Sequence, residues 1–163
     1  MTERIEISPE LQEWARRAGY TLTPECDDGR ALFWNAGGEV LFYLGSREDG
    51  WFVITRSDRR GPEYFQFAAP SMSTIVKYLF GEFSDTIRSK HGLPILRAPQ
   101  SRDQVAAGYR IQPRVFDGVE RLALIGPDGS LLAVGSSDEL TGTADLVDVS
   151  LYLGASIDDI KAS

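Results

Sequence analysis

The chain is poor in the residues that most often run chemistry. Its 163 residues include one cysteine, Cys26, and one histidine, His91. A lone cysteine cannot close an internal disulfide, which fits a reducing cytosol. With a single histidine, no Ser-His or Cys-His pair can be assembled more than once, and a zinc cage of Cys and His is excluded. Cys26 stands among Glu25, Asp27 and Asp28, whose charge opposes thiolate formation. His91, in Ser89-Lys90-His91-Gly92, sits where a helix C-terminus uses a histidine for capping and dipole compensation. Apolar runs long enough to cross a membrane are missing, and Met1–Glu10 lacks a secretory pattern, so neither a membrane span nor export is expected.

Positive charge is scarce as well. The net charge is −7, and residues 115–163 hold nine acids against Arg121 and Lys161, which accounts for the whole excess. This balance argues against a phosphate-tracking nucleic-acid binder. It suits a solvated acidic surface, or a face that steers toward a basic partner. Arginine outnumbers lysine fourteen to three, a preference suited to planar pairing at interfaces.

What the chain does have is regular patterning. Ser8-Pro9 opens a first helix whose Leu11, Trp14, Ala15 and Ala18 share one face, with Gly19 as its stop. Tyr20–Thr23 reads as extended. Four strand-like runs follow, Ala31–Asn35, Glu39–Gly45, Trp51–Arg56 and Glu63–Phe67, joined by short Gly-, Asp- and Ser-rich links that favour an antiparallel meander. The strongest helix runs from Ser71 or Ser73 to His91, with Met72, Ile75, Val76, Leu79, Phe80, Phe83 and Ile87 in one stripe and Gly92-Leu93-Pro94 ending it. Ile95–Val105 is expected to be irregular. Tyr109–Val115, Val119–Gly126 and Leu131–Gly135 read as strands around a Pro127-Asp128-Gly129-Ser130 turn, followed by a helix from about Ala144 to Leu153 and a short capped turn at Ser156.

These elements predict one α+β domain over residues 1–163: a largely antiparallel sheet, a meander plus a second hairpin, with helices packed on it. Glu39–Gly45 resembles Glu120–Gly126, and Tyr78-Leu79-Phe80-Gly81 resembles Tyr152-Leu153-Gly154. Residues 31–92 and 109–163 therefore read either as a decayed internal repeat or as convergent patterning.

No cofactor or metal fingerprint is present. Asp27-Asp28-Gly29 and Asp128-Gly129 lack the spaced ligands of a calcium loop. Gly37-Gly38 and Gly45 lack phosphate-binding spacing. Paired carboxylates acting as in glycoside hydrolysis remain open, because the sequence does not show which acids meet.

The strands are rich in aromatics, and period-two geometry divides them between two faces. Phe52 and Ile54, with Phe65 and Phe67, are expected in the core. Trp51, Val53 and Thr55, with Tyr64 and Gln66, are expected opposite, near Asn35 and Tyr43. Trp51 and Tyr64 are candidate partner-binding anchors. Two charged hairpin ends flank them: Glu48 and Asp49 in one, Arg56, Asp58, Arg59 and Arg60 in the other.

Trp34-Asn35-Ala36-Gly37-Gly38, Leu41–Gly45, Gly50–Asp58 and the helix around Tyr78-Leu79-Phe80-Gly81 together resemble the antitoxin family that neutralises the tuberculosis necrotizing toxin and related secreted toxins. The likeness covers about residues 30–92 and consists of structural motifs. It implies a cytoplasmic immunity factor, not an enzyme, that forms a one-to-one complex with an NAD-degrading toxin and blocks its cleft, without nucleic acid or membrane. Two other readings stay open: an adaptor or chaperone for a secreted protein, and a carboxylate-dependent hydrolase.

Overall fold

The computed structural model describes residues 5–93 and 101–162, which form eight strands and four α-helices. Helix α1 (Pro9–Arg17) begins where Ser8 Oγ accepts from Leu11 N at 3.2 Å, and Leu11, Trp14 and Ala15 turn inward. Strands β1 (Tyr20–Thr23), β2 (Ala31–Asn35), β3 (Val40–Ser46), β4 (Phe52–Asp58) and β5 (Tyr64–Ala69) form the antiparallel meander. Helix α2 (Met72–Lys90) then crosses behind it. Strands β6 (Arg110–Phe116), β7 (Val119–Ile125) and β8 (Leu131–Val134) return from the far edge, so the sheet order is β1-β2-β3-β4-β5-β8-β7-β6. Helices α3 (Glu139–Tyr152) and α4 (Ile157–Ala162) complete the chain. In the sheet, β3-β4-β5 followed by α2 runs against β6-β7-β8 followed by α3, and the two runs meet where Ala68 pairs with Val134.

The main core lies between the sheet and the helices. Phe33, Phe42, Leu44, Ile54 and Phe67 from the strands meet Leu11, Ile75, Leu79, Phe80, Phe83, Leu146 and Val149 from the helices. Every apolar position of the expected α2 stripe is buried there or packs against it. The other sheet face carries a smaller cluster of Ala68, Ala123, Ile125 and Val134, with Trp51, Val53, Phe65, Phe116 and Leu131 around it. Among the described residues, none from a helix contributes to that second cluster.

Two expectations change. Pairing shifts by one residue between Ile54 and Thr55, so that Phe67 faces Ile54, Phe65 faces Thr55, and Gln66 is the extra residue of a β-bulge. Strict alternation fails at this point. Phe65 lies on the face away from the helices, while Gln66 and Tyr64 lie on the helix side. Gln66 Nε2 donates to Tyr78 Oη at 2.8 Å, which gives the bulged residue its partner. Helix α3 also begins five residues earlier than the sequence suggests. Asp138 accepts from Thr141 N at 2.8 Å, and Gly142, a poor helix former, is needed because a Cβ there would collide with the Ser136 carbonyl. Residues 94–100 of the expected irregular connection, Pro94 among them, lie outside the described residues, and Arg102–Gln104 forms a single 3-10 turn.

Candidate partner-binding surface

Trp51 immediately precedes β4 and packs on the face away from the helices. Its backbone N–H donates to Asp49 Oδ1 at 3.0 Å, and Gly50 takes a φ of 89° to close the turn. Arg47 at the start of this turn donates to Asp49 at 2.8 Å and to Asp117 at 2.9 Å. Asp117 is the tip of the β6–β7 hairpin, so this ion pair draws the hairpin across the open face. Phe116 arrives with it, its ring 5.2 Å from Trp51 and 5.7 Å from Phe65, with the Arg47 guanidinium 4.6 Å above it. Arg121 lies 3.9 Å over the Phe65 ring. Glu48 and Asp49 are exposed at this end.

The β4–β5 end is a separate place. Arg56 Nε donates to Asp58 Oδ1, and Tyr64 Oη donates to Asp58 Oδ2, both at 2.7 Å. Burial opposes the Asp58 charge, but these two hydrogen bonds outweigh it and hold the carboxyl below its usual range. Arg59 and Arg60 form the turn with φ of 50° and 61°, both exposed. Trp51 and Tyr64 therefore do not share a face. Tyr64 pairs with Arg56, five residues along β4 from Trp51, or roughly 17 Å at strand spacing.

On the open face beside Tyr43, Arg30 donates to Glu63 at 2.7 Å, bonds Asp28 at 2.9 Å, and stacks 4.2 Å from the Tyr43 ring. The Arg30 hydrogen bonds hold the Glu63 carboxyl below its usual range despite partial burial. The Cys26 thiol is pushed up, by burial first and then by Asp28. His91 is exposed at the end of α2, where its N–H caps Ile87 and Arg88 carbonyls.

Acids do meet at one place. Glu82 and Asp85 of α2 and Asp145 and Asp148 of α3 line a crevice with Tyr78 and Tyr152. Its volume of about 10 Å³ holds about one water, so no sugar ring fits. Among the described residues no group of His, Cys, Asp or Glu is arranged to hold a metal, and no helix is long and apolar enough to cross a membrane.

The sequence reading missed Phe65, Phe116, Arg47 and Arg121. Their common signal was available only as two aromatic residues and two arginines at hairpin ends, without the register that joins them.

The sequence model of the family described as Immunity protein 61 matches residues 14–163. A protein named "Immunity factor for TNT" from Mycobacterium tuberculosis is 40% identical over 165 aligned residues, covering 100% of this chain and 90% of the relative. A protein named "Immunity factor for TNT homolog" from Mycobacterium bovis matches to the same extent. The solved structure titled "Rv3902c from M. tuberculosis" superposes with a TM-score of 0.87 at 39% identity, covering 99% of this chain and 90% of that one.

Proposed function

The chain belongs to the Immunity protein 61 family, and from that premise we propose that it binds a cognate NAD-degrading toxin one-to-one in the cytoplasm and blocks its active-site cleft. The observation that carries this reading is the 40% identity, over the whole chain, with a protein named an immunity factor for TNT. Binding without catalysis agrees with the water-sized crevice between the carboxylates of α2 and α3. The acidic balance of −7 also suits a cleft that must attract an anionic dinucleotide.

Co-expression with a candidate toxin from a neighbouring gene tests the proposal. The two chains should co-elute at equal stoichiometry, and NAD+ consumption by the purified toxin should stop at one equivalent of this protein. Continued NAD+ loss in the presence of excess protein overturns it.

A further inference from the structure

The β6–β7 hairpin holds an electrostatic conflict. Arg114 and Arg121 are directly opposed across the two strands, on the face away from the helices. Like charges in this position destabilise a strand pair. The acid near Arg121 is Asp117, and its carboxylate is held by Arg47 at 2.9 Å. Among the described residues neither Arg114 nor Arg121 has a carboxylate partner. Arg121 is half-buried over Phe65, and its Nε is buried without a hydrogen-bond acceptor. A buried donor left unsatisfied is a cost that folding alone does not recover. Arg110 continues the row on the same face, opposite Ile125. A chain with a surplus of acids has thus left an arginine pair open beside a half-exposed ring cluster.

Resting on the immunity reading, we propose that Arg114 and Arg121, with the adjoining Phe65, Phe116 and Trp51 rings, form the surface on which the toxin seats an acidic side chain. A carboxylate placed between two guanidinium groups turns a repulsion into two charge-assisted contacts, and the planar fork of arginine suits that geometry. The rings supply the apolar, water-excluding neighbourhood in which such contacts become strong. A protein carboxylate fits better than a nucleic-acid backbone, because the chain's net charge of −7 repels an extended row of phosphates.

The test uses the full chain and the cognate toxin, with Arg114→Gln, Arg121→Gln and, as a control on α1, Arg16→Gln. Melting curves are taken first. Arg114 is exposed, so Arg114→Gln should melt at or above the parent once the repulsion is relieved. Calorimetric titration with the toxin should then show its affinity weakened at least about tenfold, with Arg16→Gln unchanged. This opposition, a fold no less stable and a complex clearly weaker, is the signature of a surface held for a partner. Parent-like affinity of both Arg114→Gln and Arg121→Gln overturns the surface while leaving the immunity reading standing. A parent that does not bind the toxin removes both. A parent dimer in solution that Arg114→Gln disperses would place a second copy on this face and overturn the assignment to the toxin.

Discussion

Phe83 lies where three strands and a helix converge, its ring 5.2 Å from Tyr20, 5.3 Å from Phe33 and 6.5 Å from Phe42. Phe80, one position before the next turn of α2, is equally enclosed. Removing either ring leaves a cavity that neither the sheet nor α1 can close, because their side chains are already packed. Phe80→Ala or Phe83→Ala should therefore destabilise the fold by about 3–5 kcal/mol in urea titration. A loss below about 1 kcal/mol would mean that the stripe is not core. Tyr78, on the same helix, stacks on Phe67 at 4.1 Å and accepts from Gln66 while its hydroxyl donates to Asp145 at 3.3 Å. One tyrosine thus joins the bulge of β5 to α3.

At the scale of elements, α2 and α3 approach closely because Gly81 has no side chain, a Cβ there coming within 2.5 Å of the Tyr152 ring. The same approach brings Glu82 near Asp145 and Asp148 on α3, where Asp85 of its own helix and Arg56 of β4 also act on it. Burial first, then Asp85, pushes the Glu82 carboxyl up to about 7, Arg56 only partly opposing them. Burial and Glu82 likewise raise Asp145. In the unfolded chain a glutamate titrates near 4.5. Between these values the folded protein retains a proton that the unfolded chain has released, so stability falls as pH rises from about 4.5 through 7. Melting temperatures measured from pH 5 to 8 should decline across this window, and Glu82→Gln should flatten the decline and raise the value at pH 8. A parent whose stability rises steadily toward pH 8 would show that the cluster is not strained.

For the whole molecule, the decisive feature is that the charged hairpin ends face different ways. Arg47, Glu48, Asp49 and Trp51 sit with the β6–β7 tip on the open face. Arg56, Asp58 and Tyr64 sit at the other end, on the helix side, with Arg59 and Arg60 in the exposed turn between the strands. A single flat contact area of ordinary size reaches one group or the other as its centre. Hence Trp51→Ala and Tyr64→Ala should not weaken toxin binding alike. Trp51→Ala, beside Phe65 and Phe116, should cost at least about 2 kcal/mol. Tyr64→Ala, 46% exposed and bonded to Asp58, should cost less than about 1 kcal/mol, as should His91→Ala. Calorimetry on folded variants reads the difference, and the reverse order would move the contact to the β4–β5 end.

Much of this architecture was legible in the sequence because it is written locally. The period of Leu11, Trp14, Ala15 and Ala18, the stripe from Met72 to Ile87, and the alternation of Phe52, Trp51, Ile54 and Val53 each follow from backbone geometry over a few residues. Short links between strands also determined the antiparallel meander, and the lone cysteine and histidine determined which chemistries could be set aside. Tertiary structure decided the rest. The bulge at Gln66 depends on pairing with β4 and on Tyr78 across the core, so no window of β5 could reveal that Tyr64 and Phe65 exchange faces. The early start of α3 depends on Gly142 fitting under the Ser136 carbonyl. The ring cluster gathers residues far apart in the chain, as Arg47 reaching Asp117 seventy residues away does, and such pairs form only once the eight strands have assembled into one sheet. Periodic signals are properties of the chain; register, bulges and long-range pairs are properties of the packing that the chain finds.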